Sequence, residues 1–465
     1  MSTRQAAAIR CTLVASIVAL VAGHLPPPAA AAERPNLIYI MADDLGYGDL
    51  GCYGQERIKT PSIDKMAAEG IRFTDHYAGS TVCAPSRCVL MTGLHTGHSL
   101  VRGNREVRPM GQMPLTPETL TVAELLKGAG YATGLVGKWG LGGPGSTGVP
   151  NRQGFGTFFG YLCQRHAHNY YPEFLFRNAE RVPLEGNRVE NNREDGAGMA
   201  TEKVTYSHDV CAAEALRFIE RNKEGPFFLY FSPTIPHANN EAGRQGMEVP
   251  SLGDYADLDW PEPQKGHAAM ISRLDADVGR LLARLAELGL DEKTIVFFTS
   301  DNGPHREGGA DPNFNDSNGP LCGIKRDLFE GGIRVPMIVR WPGKIRPGTE
   351  TAHVSAFWDF LPTACELAGI DPPQDIDGIS YLPTLTGDDA RQRQHEYLYW
   401  EYGGTRAVRM SKWKAVGGPG GERLQLFDLE ADLGETRNVA ADNPQVAERV
   451  KEIIQAAHVD PSHAK

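Results

Sequence analysis

The chain has 465 residues, 41% of them hydrophobic and 23% charged, with a formal net charge of −11. That is ample apolar material for a large core, in two domains or one large one. The acidic balance argues against a nucleic-acid partner, and it requires that any anion be held by a local basic pocket.

Residues 1–32 have the layout of a secretory signal peptide. Arg4 and Arg10 stand ahead of an apolar run over 13–23 that is too short to span a bilayer, and small residues at 29–32 offer a cleavage site. An uncleaved membrane anchor is the alternative. Cys11 precedes the apolar run, which argues against a lipoprotein. Losing Arg4 and Arg10 with this segment moves the net charge from −11 to −13. No later segment is long and apolar enough for a stable membrane span, so the expectation is an exported, periplasmic or secreted protein.

Residues 36–41 form an apolar run expected as a buried strand. Thr60 and Pro61 then start a helix, with Ile63, Met66 and Ala67 at helical spacing. Further helices are expected over 119–130 and 209–222, and strands over 133–139 and 226–232. Ile271, Leu274, Val278, Leu281, Leu285 and Leu288 mark a long amphipathic helix. Strands over 294–299 and 335–341 follow. Alternating strands and helices predict an α/β fold: a large, mostly parallel sheet sandwiched by helices, over 33–388. From 389 to 465 the texture changes to short strand candidates at 397–400, 405–410, 413–416 and 424–428, then a helix from about Pro444. This predicts a smaller C-terminal antiparallel sheet plus one helix. The polar stretch 177–201 reads as a surface loop.

The chemistry-bearing residues fall at strand ends. Asp43 and Asp44 follow the first strand, and Asp301 and Asn302 follow the strand at 294–299. Ligand sites of open α/β sheets lie beyond these carboxyl ends. Three carboxylates and an amide oxygen there suit a hard cation such as Ca²⁺ or Mg²⁺. Taken singly, each pair is as well read as a turn or helix cap. Between them in sequence lies Cys83-Ala84-Pro85-Ser86-Arg87, ahead of a short helix whose N–H groups would favour an anion, with Arg87 adding a cation. Lys138 closes the strand at 133–139, His237 follows the strand at 226–232, and Lys325 precedes Phe329-Glu330-Gly331-Gly332. The remaining cysteines are scattered with no Cys-x-x-Cys pair, so no zinc site is expected. An oxidising compartment would allow disulfides, although spacing gives no pairing. Gly143 to Gly148 matches G-x-G-x-x-G, but Pro144 and Pro150 argue against a dinucleotide site. His95 and His98 read as structural.

These motifs, together with Val136-Gly137-Lys138-Trp139, Thr299-Ser300-Asp301-Asn302-Gly303 and the closing Leu426-Phe427-Asp428-Leu429, resemble in order and kind those of the type I sulfatases of the alkaline phosphatase superfamily. The resemblance implies a sulfuric ester hydrolase that cleaves sulfate esters, on carbohydrates or other alcohols. It implies Ca²⁺ at Asp43, Asp44, Asp301 and Asn302, with position 83 also at the metal. Cys83 would be oxidised to formylglycine by a formylglycine-generating or sulfatase-maturing enzyme, and the aldehyde hydrate would attack sulfur. Arg87 and Lys138 would stabilise the hydrate and the sulfate. Lys325 and His237 would hold the sulfate, one of them protonating the leaving alcohol. One departure stands out. The family's Gly-Lys-Trp-His-Leu-Gly is here Gly137-Lys138-Trp139-Gly140-Leu141-Gly142, so the usual base for sulfate expulsion is missing. Gly140 leaves room for an incoming side chain, and His166 or His168, with His168 preferred, is expected to replace the base or grip a sugar. The competing readings are a phosphonate or phosphodiester hydrolase of the same superfamily, and a non-catalytic carbohydrate-binding relative.

Overall fold

Five strands run parallel through the middle of the molecule because their residues are apolar toward both faces. The computed structural model describes residues 34–190 and 193–460; the signal peptide expected over 1–32 lies outside them. The ten strands of the main sheet are, in chain order, β1 (Asn36–Ala42), β2 (Ile71–Phe73), β3 (Ala132–Lys138), β4 (Thr157–Tyr161), β5 (Phe174–Arg177), β6 (Glu180–Pro183), β7 (Phe227–Ser232), β8 (Thr294–Ser300), β9 (Met337–Arg340) and β10 (Thr349–Thr351). Their spatial order is β10-β2-β9-β8-β1-β7-β3-β4-β5-β6. The run from β8 to β4 is parallel, and antiparallel neighbours join at both sides.

Alternate residues of β1 feed two cores. Leu37, Tyr39 and Met41 pack on one face and Ile38, Ile40 and Ala42 on the other, the period-two alternation of a strand buried on both sides. Helices α1 (Pro61–Ala68), α5 (Ser207–Arg221) and α6 (Glu262–Glu287) cover the second face. Helices α2 (Cys83–Thr92), α3 (Val122–Gly128) and α7 (Phe360–Ala368) cover the first. Helix α4 (Gln164–His168) is a single short turn after β4.

The C-terminal sheet is antiparallel, in the order β11 (Leu398–Tyr402), β12 (Thr405–Met410), β13 (Trp413–Gly417), β14 (Gln425–Asp428). Its Tyr399, Val408, Ala415 and Leu426 pack on Val450, Ile453 and Ile454 of α8 (Pro444–Ala456). Leu398, Trp400 and Ala407 point the other way and join the first core of the main sheet. From Arg34 onward the chain is accordingly one compact unit.

Two expectations shift. The stretch 177–201 is not all loop: β6 pairs with β5 at the sheet edge, and its exposed side chains hide it from an apolar-pattern reading. Helix α6 begins at Glu262, two turns before its apolar stripe, because Gln264, Lys265 and His267 are buried there. Among the described residues no disulfide forms; Cys52, Cys83, Cys88, Cys163, Cys211, Cys322 and Cys365 are all free. No helix of the described residues is long and apolar enough to cross a membrane.

Candidate active site

The parallel register of β1 and β8 builds the site. Ala42 pairs with Ser300, so the residues just beyond these strands emerge side by side. Asp301 N–H donates to Ala42 O at 3.1 Å, and Asp44 N–H donates to Asp301 Oδ1 at 3.1 Å. Asp44 sits at φ +65°, a left-handed conformation that Asp tolerates better than most residues. Strands β3 and β7 end at the same edge, delivering Lys138 and Ser232. Cys83 is the first residue of α2, after Val82, which supplies no side-chain cap. One helical turn on, Arg87 lies fully buried against the same strand ends.

The side chains at this edge interlock. Lys138 Nζ donates to Asp43 Oδ2 at 2.7 Å, and Lys325 Nζ donates to Asp44 Oδ2 at 2.7 Å. Arg87 donates to Asp301 Oδ2 at 2.8 Å and to Lys138 O at 2.7 Å, and it also bonds Ser232 Oγ. The Cys83 thiol donates to Asp43 Oδ1 at 3.4 Å. His237 donates from Nδ1 to Ala238 O at 2.7 Å, which leaves Nε2 to accept from Lys325 Nζ at 3.0 Å. Asp43, Asp44, Cys83, Arg87, Lys138, His237, Asp301, Asn302 and Lys325 are all buried.

Burial of this many charges shapes their protonation. For Asp43, burial pushes the carboxyl up, but Lys138, His237, Arg87 and Lys325 outweigh it and hold it well below the ordinary carboxylate range. Asp301 goes the other way, to about 7, through burial and the neighbouring charge of Asp43. Burial, then Lys325, holds His237 well below an ordinary imidazole. Burial raises the Cys83 thiol.

The donor set fits a hard cation. Asn302 Nδ2 donates to Asp44 Oδ1 at 2.7 Å, while Asn302 Oδ1 is buried with no hydrogen-bond partner. A buried orphan carbonyl oxygen next to three carboxylates is the arrangement that an oxygen-seeking Ca²⁺ or Mg²⁺ satisfies. Asp43, Asp44, Cys83 and His237 also offer ligand atoms within 4.8 Å of one another, but His237 has both ring nitrogens engaged by Ala238 and Lys325.

The two loop histidines part company. His168 stacks on the His237 ring, centroids 4.8 Å apart at 14°, and its Nδ1 lies 3.2 Å from Glu241. His166 is fully buried among Tyr161, Phe174 and Phe176, its Nε2 2.9 Å from Phe174 O, and burial pushes its pKa down to about 3. The structure thus brings His168 to the cluster and keeps His166 out of it. Pattern reading missed Glu307, whose carboxylate lies 3.3 Å from Lys325 and 3.9 Å from His237. It also missed Glu241, which orients His168. Glu307 sits in a loop and Glu241 in a short 3-10 turn, where no periodicity marks a functional acid. His95 and His98 form a second group with Asp377, their rings stacked at 4.2 Å.

A mostly parallel sheet with paired acids, a cysteine at the start of a helix and three buried cations at its carboxyl edge defines a hydrolase of the alkaline phosphatase superfamily. Residues 35–370 match the family model described as Sulfatase, and residues 324–459 match the model for the C-terminal region of N-sulphoglucosamine sulphohydrolase. The chain belongs to the sulfatase family, as a type I sulfatase and sulfuric ester hydrolase. It is 33% identical to human arylsulfatase A, covering 94% of this chain and 89% of that protein. It is 32% identical to the N-acetylgalactosamine-6-O-sulfatase of Bacteroides thetaiotaomicron, covering 91% and 93%. Among solved structures, Ps i-CgsB in complex with k-i-k-neocarrahexaose superposes with a TM-score of 0.77 at 27% identity, covering 92% of this chain and 94% of that one.

Proposed function

We propose that this chain is an exported, Ca²⁺-dependent sulfatase that removes sulfate from carbohydrates, using formylglycine made from Cys83 by a maturing enzyme. The observation that carries the reading is the position of Cys83, at the start of α2 against Asp43 and within the Arg87, Lys138 and Lys325 cations. Asp43, Asp44, Asp301 and Asn302 would hold the metal. When present, formylglycine supplies the nucleophile as its hydrate, and Ca²⁺ supplies a Lewis acid that draws charge from the sulfuryl oxygens.

The chain's own residues have separate tasks. Arg87 fixes Asp301 and contributes charge. The Lys138 and Lys325 ammonium groups offset negative charge gathering on sulfate. Lys325 Nζ donates to His237 Nε2 across 3.0 Å, and a proton held in this pair is positioned to reach the departing alcohol. His168, stacked on His237, is assigned to substrate contact; His166 is assigned to packing. A sugar substrate is supported by the names of relatives that act on N-acetylgalactosamine sulfates. Residues 1–32 would leave as a signal peptide, with 33–388 as the catalytic domain and 389–465 as its C-terminal subdomain. Peptide mass spectrometry of protein from its native host tests the reading: residue 83 should carry the aldehyde. Full recovery of unmodified Cys83 from fully active enzyme rules it out.

A further inference from the structure

The space beside Gly140 is already occupied. Gly140 has φ +81°, and a Cβ built on it would meet Gln164, with Nε2 at 3.0 Å and Cγ at 3.2 Å. Gln164 opens α4 and is only 5% exposed. Its backbone N–H donates to Gln112 Oε1 at 2.8 Å, yet its side-chain Nε2 is buried with no partner. A buried donor left unpaired is costly, and a native fold keeps one when something else is to accept from it.

Two relationships place Gln164 beside the cluster. Gln164 and His168 stand four apart on α4 and share a face, and His168 stacks on His237, whose Nε2 is 3.0 Å from Lys325 Nζ. From the other side, Gly140 lies two residues beyond Lys138, whose Nζ is bound to Asp43 at 2.7 Å. Residue 166, half a turn away on α4, faces the aromatic pack instead.

We propose that Gln164 is a catalytic residue whose side-chain N–H donates to an oxygen of the sulfate held beside Cys83, through the gap that Gly140 leaves. This rests on the cluster around Cys83 being the sulfate site. An amide is a donor and acceptor but not a base at neutral pH. Gln164 therefore grips sulfate and stabilises charge on its oxygens; it takes no proton.

The test is calorimetric titration of inorganic sulfate into the mature, Ca²⁺-loaded protein, alongside hydrolysis of nitrophenyl sulfate. Four proteins are compared: the wild type, Gln164→Met, Gln164→Glu and Lys325→Met. Gln164→Met keeps the volume and removes the donor; it should weaken sulfate binding and lower kcat/KM by roughly ten- to hundredfold, the loss of one hydrogen bond to a charged group. Gln164→Glu should lose more, because a carboxylate then faces the anion. Lys325→Met should also weaken sulfate binding. If Lys325→Met weakens binding but both Gln164 variants stay within about twofold of wild type, Gln164 does not touch sulfate and the proposal falls while the site reading stands. If Lys325→Met also binds sulfate unchanged, both fall. Should Gln164→Glu fold poorly, Gln164→Met alone decides.

Discussion

Two histidines two residues apart give opposite expectations. His166 fills a fully buried aromatic niche, so His166→Ala should cost about 3 kcal/mol of stability and leave kcat and KM near wild type. His168 lies against His237, so His168→Ala should alter kinetics with little change in melting temperature. A rise in KM alone would mark a contact made equally in the ground and transition states. Urea unfolding together with steady-state kinetics on the two variants checks both outcomes. At the metal set, Asp301→Asn keeps the shape but removes a charge that faces Arg87 and turns toward Asp44. It should lower activity more than about hundredfold and raise the Ca²⁺ concentration needed for activity, with an unchanged far-ultraviolet circular dichroism spectrum.

Helix α3 carries its own start signal. Thr121 Oγ1 accepts from Glu124 N at 3.2 Å, and the Glu124 carboxylate accepts from Thr121 N at 3.0 Å, a reciprocal cap that ties off two free backbone donors. Thr121→Ala should therefore cost about 1 kcal/mol, read as a lower urea midpoint at constant slope. The same Thr-x-x-Glu pattern stands in the sequence, yet the helix was expected from 119, because the spacing of apolar residues locates a helix better than it locates its first turn. The central strands were legible for the same reason that they are central: residues apolar on both faces leave no ambiguity at β1, β7 and β8. Asp43, Asp44, Asp301 and Asn302 were legible because they directly follow those strands. Gln164 was not legible, since a glutamine at the start of a five-residue helix carries no pattern, and its partner in the argument is the absence of a side chain at Gly140. The edge strand β6 was hidden by its exposure, Glu307 by its loop and Glu241 by the shortness of its 3-10 turn.

At the scale of the whole molecule, acid should loosen the fold through α5. Glu214 is buried there and bonded by Arg177 at 2.8 Å and by Arg221 at 2.6 Å. Burial alone would push its carboxyl up, but these bonds outweigh burial and hold it at about 2, below its ordinary 4.5. A depressed acid contributes stability that is present above its unfolded value and lost as pH falls through the folded one. The stability gap between wild type and Glu214→Gln should thus be full at pH 7 and shrink as pH drops from about 4.5 toward 2, as followed by urea midpoints. Metal removal should act on the whole sheet, because its candidate ligands tie β1 to β8. Ca²⁺ at about a hundredfold excess over its Kd should add about 2.7 kcal/mol, and a chelator should lower the melting temperature reversibly. The burial of Cys83 and Arg87 also sets a deadline. Ser86 and Asp301, which close over this segment, are 215 positions apart in the chain. At a synthesis rate of roughly 5–20 residues per second, the segment waits roughly 10–40 s before β8 exists to cover it. An enzyme proposed to edit Cys83 would have to reach it before that cover forms, so protein folded first and exposed to the editing enzyme afterwards should stay unedited and inactive.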